Sequence, residues 1–170
     1  MKRDMKRTIE CSTCGSPAKV VRGSYPFTEC GLPNVVLQGV ELIRCGKCST
    51  EDAIIPKLNE LMRVLALAVV CKPYRLRGED VKFLRKYLKM TNDEFARLIH
   101  INKTNLSKWE NNHDRIGPQS DRLIRIMAVI LGEGLPQELE RVIKSFPHIQ
   151  GTRSNVRIDM DADKGSYHYA

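Results

Sequence analysis

Hydrophobic and polar residues alternate near the start of the chain, while farther along the hydrophobic residues recur every three or four positions. The alternation predicts short strands, and it is carried by the runs Lys19–Arg22, Val35–Gln38 and Val40–Arg44. Cysteine, glycine and proline separate these runs between Cys11 and about Thr50. We therefore predict a small ribbon of short strands in this region.

Helical spacing follows the ribbon. Pro56 suits the first position of a helix that runs to about Val70 with leucines on its apolar side. The stretch KPYRLRGED, Lys72–Asp80, then breaks the pattern, so we place a linker at residues 72–78.

Capping residues predict five short helices after this linker. Glu79 or Asp80 can cap the first, and Thr91 caps the second with Glu94 three residues later. The fourth helix ends at Gly132 and the fifth near Phe146. The third, fourth and fifth helices begin at Asn102, Pro118 and Pro136.

These elements predict an α+β protein of two domains. We expect a zinc-ribbon domain with its helix at residues 1–71, the linker at 72–78, an all-α domain of five helices at 79–150, and a tail at 151–170. The tail is polar and has no clear period, which favours a loosely ordered segment or an edge strand.

One stretch of the tail resembles a calcium loop. DMDADKG, Asp159–Gly165, has acidic residues at the first, third and fifth positions. However, Lys164 stands where the loop needs glycine, and Ala170 stands where it needs glutamate. We therefore expect no calcium site.

Residues Thr91–His100 and Asn102–Asn111 form two short helices joined by a tight turn, which is the helix-turn-helix arrangement. On the second helix, Leu106 and Trp109 share one face and can dock on a core. The opposite face carries polar side chains and no carboxylate. Its members are Lys103, Thr104, Ser107 and Lys108.

This polar face predicts contacts with double-stranded DNA. Lys108 can donate to a guanine, Thr104 can touch a thymine methyl, and Arg85 is expected to add phosphate contacts. The alternative is a hairpin of helices in a protein-binding module with a solvated polar face. The predicted DNA-binding residues are Asn92, Asn102, Lys103, Thr104, Asn105, Ser107 and Lys108.

The net charge of +8 and the isoelectric point near 9.3 are compatible with DNA binding but do not establish it. Met1–Glu10 carries four basic and two acidic residues, and Lys72–Met90 carries seven basic and two acidic residues. Basic blocks favour a polyanionic partner, although a solubilising surface explains charge alone equally well.

Four of the six cysteines form two C-x-x-C pairs, CSTC at Cys11–Cys14 and CGKC at Cys45–Cys48. Two such turns bring four thiolates to one ion, so we predict a structural Zn²⁺, one per chain. A rubredoxin-like iron site and a dithiol redox centre are the alternatives. We expect Gly15 and Gly46 at the points of the tight turns where a Cβ atom would cause strain. We expect Cys30 and Cys71 to be ordinary thiols.

No apolar signal segment follows MKRDMKRTIE, and the longest apolar run, Val64–Cys71, is too short to cross a bilayer. We expect a cytoplasmic protein without a membrane partner. We find no nucleophile–base pair, phosphate-cradling loop or paired acids, so we expect no enzymatic activity.

The segment MTNDEFARLIHINKTNLSKWENN closely resembles the Xre/Cro-repressor family, which has a lambda-repressor-like fold, and the resemblance covers roughly Asp80–Ile130. Two residues depart from the family pattern. His100 replaces the usual turn glycine, and Asn92 replaces the usual glutamine at the start of the second helix.

The order of a four-cysteine ribbon, containing VVLQGVELIRCGKC, a helix and an Xre-type domain resembles the MqsA-type antitoxins with a YgiT-type zinc finger. The resemblance implies zinc ligands at Cys11, Cys14, Cys45 and Cys48, and base-reading positions at Thr104 and Lys108. It also implies a homodimer that binds a palindromic operator and represses its own operon, together with an RNA-cleaving toxin partner.

We therefore predict a sequence-specific DNA-binding transcriptional regulator, a dimeric repressor of the antitoxin kind. The alternative is an adaptor whose zinc ribbon binds a protein and whose helices serve only to dimerise.

Overall fold

The computed structural model describes residues 8–153 and 156–170, so most of the basic segment Met1–Glu10 lies outside the described residues. Within these described residues, four strands come first, six α-helices follow, and two strands come last. The strands are β1 (Thr8–Glu10), β2 (Pro17–Pro26), β3 (Val35–Cys45), β4 (Glu51–Ile54), β5 (Ile158–Asp161) and β6 (Ser166–Tyr169). The helices are α1 (Leu58–Cys71), α2 (Gly78–Tyr87), α3 (Asn92–Leu98), α4 (Lys103–Glu110), α5 (Pro118–Leu131) and α6 (Leu139–Ser145). The predicted α+β class, with a β-rich cysteine region before the helices, is confirmed.

Six strands form one sheet, in which β3 is the central strand. β1 pairs with β2, and β2 pairs with β3, in antiparallel fashion. The other edge of β3 is shared by two strands: β4 pairs with its second half and β5 pairs in parallel with its first half. Gly39, with φ of +71°, lies between these two halves.

The C-terminal segment forms a β-hairpin whose β6 is an edge strand, so the expected edge strand is present and the loosely ordered tail is not. β5 pairs with β6, and together they extend the N-terminal sheet. Asp161 lies at the turn, where its Oδ1 accepts hydrogen bonds from the backbone N–H groups of Asp163 and Lys164. The acidic stretch that resembles a calcium loop therefore forms the end of β5 and the turn of this hairpin.

One hydrophobic core joins the sheet to the helices. It runs from Leu37 of β3 through Leu65 of α1 to Phe95 of α3 and Leu106 of α4, and each of these four side chains has no exposed surface. α1 lies against α2, α5, α6 and β6. The helix that follows the cysteine ribbon therefore contributes to the core of both halves of the chain.

The predicted linker, residues 72–78, is held by a buried polar network. The side chain of Arg125 is fully buried, and its Nε lies 2.9 Å from Asp121 Oδ2. Asp121 Oδ1 accepts a hydrogen bond of 2.7 Å from the backbone N–H of Leu76. The guanidinium also donates to the backbone carbonyls of Val70, Lys72 and Tyr74.

Lys72 and Asp80 form a second buried pair beneath this segment. Their Nζ and Oδ2 atoms are 2.7 Å apart, and the two side chains are 2% and 0% exposed. Asp80 also accepts a hydrogen bond from the backbone N–H of Arg77, the residue that precedes α2. The expected N-cap of α2 at Glu79 or Asp80 is therefore wrong, because the N-cap residue is Arg77. Asp80 lies in the first turn of α2, and its carboxylate accepts the hydrogen bond from Arg77.

The predicted starts of α3, α4 and α5 agree with the structure, whereas α1 begins at Leu58 and not at the predicted Pro56. Thr91 and Glu94 form a reciprocal capping box at α3, and Asn102 caps α4. Pro118 is the first residue of α5. Pro136 opens a short 3-10 turn, Pro136–Glu138, which leads directly into α6.

Candidate nucleic-acid interface and cysteine cluster

The turn between α3 and α4 uses a left-handed residue at the position that departs from the Xre pattern. His100 has φ of +54°, a conformation in which a side chain is tolerated but glycine is favoured. The backbone N–H of Ile101 donates to the carbonyl of Ala96 and closes the turn at 2.9 Å. The chain therefore keeps the helix-turn-helix geometry with histidine at this position.

Close backbone packing sets the depth of α4 against α2. A Cβ atom at Gly78 would lie 2.1 Å from the carbonyl oxygen of Trp109, so only glycine fits there. The backbone N–H of Gly78 donates to Oδ1 of Asn112, just beyond α4, at 2.9 Å. Sequence reasoning missed Gly78, because a glycine at the start of a helix carries no signal about a partner helix distant in sequence.

A nearly buried ion pair also ties α4 to α2. Arg85 donates through Nε and Nη2 to both carboxylate oxygens of Glu110, at 2.6 and 2.9 Å. The remaining Nη1 donates to the carbonyl of Met90. The expected phosphate contact from Arg85 is wrong, because the guanidinium is committed to these acceptors and its side chain is only 12% exposed.

The predicted polar face of α4 points to solvent. Leu106 is fully buried and Trp109 is half-buried, so the helix docks through its apolar side. No acidic residue lies in its first turn. The exposed residues are Asn102, Lys103, Thr104, Asn105, Ser107 and Lys108.

Asn102 and Asn92 differ from the other predicted contact residues. The side-chain oxygen of Asn102 accepts the backbone N–H of Thr104 at 2.8 Å, so this side chain caps α4. Asn92, at the start of α3, is half-buried. It lines a groove of about 540 Å³ with Lys103, Thr104 and Ser107, between the first turns of α3 and α4.

The outer face of α4 itself carries no carboxylate, as predicted, but two carboxylates from α3 and from the loop after α4 lie beside its lysines. Lys103 Nζ is 3.5 Å from Asp93 Oδ1, and Lys108 Nζ is 3.8 Å from Asp114 Oδ2. All four side chains are more than half exposed, with 51–67% of their surface accessible. Such pairs are weak in water, and the lysines can exchange them for phosphates.

The four predicted cysteine ligands come together at the end of the sheet farthest from the C-terminal hairpin. Their sulfur atoms all lie within 4.8 Å of one another, and the separations are 3.5 Å for Cys11–Cys48 and 3.6 Å for Cys14–Cys45. Four sulfurs placed tetrahedrally about 2.3 Å from a metal are about 3.8 Å apart. The cluster can therefore hold one metal ion, with no ligand position left open.

Both cysteine loops follow the same backbone course. In each loop the first cysteine's carbonyl accepts the N–H of a residue in the left-handed conformation: Gly15, with φ of +67°, and Ser49, with φ of +58°. The expectation for Gly15 is confirmed. The second loop places its left-handed residue at Ser49, and Gly46 is not in that conformation.

Hydrogen bonds stabilise the thiolate form of the second cysteine pair. The side-chain hydroxyl and backbone N–H of Thr50 lower the pKa of Cys48 to about 6. The backbone N–H groups of Cys48 and Lys47 lower the pKa of Cys45. Thiolates are the form that binds metal, so the second loop is suited to that role.

The two remaining cysteines are separate thiols. Burial raises the pKa of Cys30 to about 11, and burial also raises the pKa of Cys71. The expectation that both are ordinary thiols outside the cluster agrees with their positions.

Residues 78–128 match a family model described as a helix-turn-helix domain. The match begins at the first residue of α2 and ends within α5, so it includes every element that positions α4. No curated protein and no solved structure matches the chain. Within the described residues, no helix has the length and apolar character needed to span a membrane.

The helix-turn-helix domain and the exposed polar face of α4 support a DNA-binding regulator. The chain also has a candidate metal site, the four-cysteine cluster.

Proposed function

We propose that the chain is a cytoplasmic, sequence-specific transcriptional repressor that acts as a homodimer and carries one structural Zn²⁺ per protomer. The observation that supports this most directly is the anchoring of α4. Gly78, Leu106 and the Arg85–Glu110 pair fix its inner side, while its outer side presents hydrogen-bond donors to solvent. A rigid helix with such a face fits the major groove of DNA.

Individual side chains have distinct roles in this proposal. Lys108 donates to a guanine, and Thr104 contacts a thymine methyl or another base edge. Lys103, Asn105 and Ser107 bind phosphates or neighbouring base edges, and Asn92 binds a phosphate from the adjacent groove. Asn102 contributes by holding the first turn of α4.

A homodimer explains how a single short helix gains specificity. Two copies related by a two-fold axis place their α4 helices in successive major grooves, about 34 Å apart, on a palindromic operator. Candidate residues for the contact between protomers are apolar yet exposed: Ile130 and Leu131 at the end of α5 and Ile143 on α6, each 47% exposed.

Zinc is the metal that best suits the cysteine cluster. Four thiolates in a closed tetrahedral arrangement are typical of structural zinc, and they leave no place for a substrate. The proposal therefore assigns the metal a folding role and assigns the chain no catalytic step.

The most specific part of the proposal is that the chain is the antitoxin of a toxin–antitoxin pair. A groove of about 550 Å³ near the first turn of α1 offers a surface for a protein partner. It combines exposed Leu58, at 49%, with Met62 and Phe27, and it carries the acids Glu29 and Asp52. The same groove supports the alternative function, an adaptor that binds protein through its N-terminal half and dimerises through its helices.

A gel-shift titration tests the repressor proposal. The purified chain is titrated against the DNA immediately upstream of its own gene, at two salt concentrations and with nonspecific competitor. We expect a shift that survives competitor in the wild type and is lost in Thr104→Ala/Lys108→Ala. The matched control, Thr28→Ala/Lys19→Ala, changes two exposed residues of the same types in the N-terminal half and should bind as the wild type does.

Failure to bind DNA at either salt concentration would contradict the repressor proposal and favour the adaptor. Binding that competitor removes would indicate a general polyanion binder.

Elemental analysis tests the metal assignment. We expect one zinc per chain in the wild type and none in Cys14→Ser, while Cys30→Ser keeps its zinc because Cys30 lies outside the cluster. Iron in place of zinc, or a full metal content in Cys14→Ser, would contradict the assignment.

A further inference from the structure

A pocket of about 580 Å³ opens beside the C-terminal end of α4. It lies between the start of α2, the loop that follows α4, and residues 151–152. Arg75, Arg77 and Arg115 line it, together with one acid, Asp114. Guanidinium groups gathered in a pocket are suited to binding an oxyanion, above all phosphate.

Two of these arginines are available to a ligand. Arg77 Nε lies 3.1 Å from Glu79 Oε1, and Asp114 lies near Lys108. Across residues 8–153 and 156–170, neither Arg75 nor Arg115 has a carboxylate within ion-pair distance. The pocket therefore carries positive charge that its own acids do not neutralise.

The backbone that carries the two arginines is firmly held. The N–H of Arg75 donates to the carbonyl of Gln150 at 3.1 Å, and the next residue, Leu76, is 2% exposed and bonded to Asp121. On the other side, Arg115 precedes Ile116, which is 3% exposed. A pocket with a fixed backbone loses little conformational entropy when a ligand binds.

The pocket also lies where a DNA backbone runs in the proposed complex. α4 has eight residues, so it is about 12 Å long, which is close to the width of the major groove. The groove between α3 and α4 lies at its first turn, and the arginine pocket lies just beyond its last turn, at the loop that follows Glu110. The Lys108–Asp114 pair connects the base-reading face to the pocket.

We propose that Arg75 and Arg115 together bind one backbone phosphate of the DNA in this pocket. The inference rests on the proposed function and adds to it, because Arg75 lies before the matched helix-turn-helix residues 78–128. Phosphates are alike at every base pair, so the contact raises affinity for all DNA without adding sequence preference. The buried network around residues 72–78 then has a role in binding, since it positions Arg75.

Fluorescence anisotropy of labelled duplexes tests the pocket. The full chain and Arg75→Ala/Arg115→Ala are titrated with the upstream DNA and with a scrambled duplex of the same composition, over a series of salt concentrations. We expect the variant to bind both duplexes about three- to tenfold more weakly at low salt. The slope of log K against log salt should fall by about 0.9, which corresponds to one lost phosphate contact.

Two further variants control for folding and for charge. Arg22→Ala removes an exposed arginine from β2, on the sheet, and should leave the slope unchanged. Arg75→Lys/Arg115→Lys keeps both charges and should recover most of the slope, which a purely structural role of the guanidiniums would not produce.

An unchanged slope in the alanine variant would overturn the pocket assignment while leaving the repressor proposal intact. Failure of the wild type to bind any DNA would overturn both. Calorimetry with inorganic phosphate tests whether the pocket binds a small anion instead of the DNA backbone. That interpretation would follow if free phosphate bound tightly to the wild type and not to the alanine variant, while the slope for DNA binding was unchanged.

Discussion

Arg85 of α2 and Glu110 at the end of α4 form a paired, two-bond contact that is almost closed to solvent. The Nε–Oε1 distance is 2.6 Å and the Nη2–Oε2 distance is 2.9 Å, while the two side chains are 12% and 7% exposed. Parallel hydrogen bonds of this kind fix orientation as well as distance. The contact therefore sets the angle at which α4 presents its outer face.

Removing one member of this pair should destabilise the protein. We expect Arg85→Ala to lower the free energy of unfolding by about 2–3 kcal/mol, because the Glu110 carboxylate is left desolvated without its partner. Urea denaturation measures the change. Arg22→Ala, which breaks an exposed pair with Asp163, should change the free energy by less than about 0.5 kcal/mol.

A double-mutant cycle with Glu110→Ala separates the pair from its surroundings. We expect a coupling energy above about 1 kcal/mol. If the stability losses of the two single substitutions add up to the loss in the double variant, each residue acts through other neighbours.

Asp93 should weaken DNA binding in the wild type. Its carboxylate lies 3.5 Å from the ammonium group of Lys103, beside the groove into which we place a phosphate. Asp93→Asn removes that negative charge, so we expect affinity for all duplexes to rise about two- to fivefold at low salt. Anisotropy titrations measure it, with Asp163→Asn on the C-terminal hairpin as the control. Equal or weaker binding in Asp93→Asn would place this side of α3 away from the DNA.

Asp159 should make stability depend on acid pH. Burial alone would raise the pKa of this 2%-exposed carboxyl, but hydrogen bonds from Arg157 and Gln38 outweigh burial and hold the pKa below its usual value. Since the folded pKa is depressed, the stabilisation is present above the unfolded pKa of about 4 and is lost as pH falls through the folded value.

Stability measured from pH 6 down to pH 2 checks this expectation. The wild type should lose more stability than Asp159→Asn, in which this group does not titrate. Parallel curves for the two proteins would mean that the Asp159 carboxylate is not stabilised by folding.

The C-terminal hairpin should contribute measurably to the stability of the whole core. Tyr169 on β6 donates its hydroxyl hydrogen to the carbonyl of Ala68 in α1, at 2.6 Å. We expect Tyr169→Phe to cost about 1 kcal/mol. Tyr167→Phe should cost less, because the Tyr167 hydroxyl accepts a longer hydrogen bond, of 3.3 Å, from the exposed side chain of Arg141. Thermal unfolding compares the two, and a larger loss in Tyr167→Phe would contradict the assignment.

Local signals made much of this protein predictable. The two C-x-x-C pairs place the cysteine cluster. The caps Thr91 and Asn102, together with Pro118 at a first helical position, place three helix starts. The pattern of apolar residues also identified the buried side of α4 through Leu106. The helix features depend on a few residues close together in the chain, and the cluster joins two copies of one short motif, so the sequence is sufficient to identify them.

Contacts between distant residues were not predictable in this way. Gln38 and Asp159 are hydrogen-bonded across 121 positions, and their strands pair because the folded core brings β5 to the free edge of β3. A polar segment with no clear period carries no sign of the edge that it will join. The same reason explains why Asp93 appears beside Lys103, and Glu110 beside Arg85, only in the fold.

The sequence by itself thus determined the starts of three helices, the four cysteines that cluster and the outward-facing side of α4, because periodicity, caps and C-x-x-C spacing act over short stretches of chain. Only the tertiary structure decided how α4 is held, which acids lie beside its lysines, and where the last strands pair. Those outcomes depend on packing and on the shared burial of charges, such as Arg125 with Asp121 beneath residues 72–78, and such burial exists only when the whole core has formed.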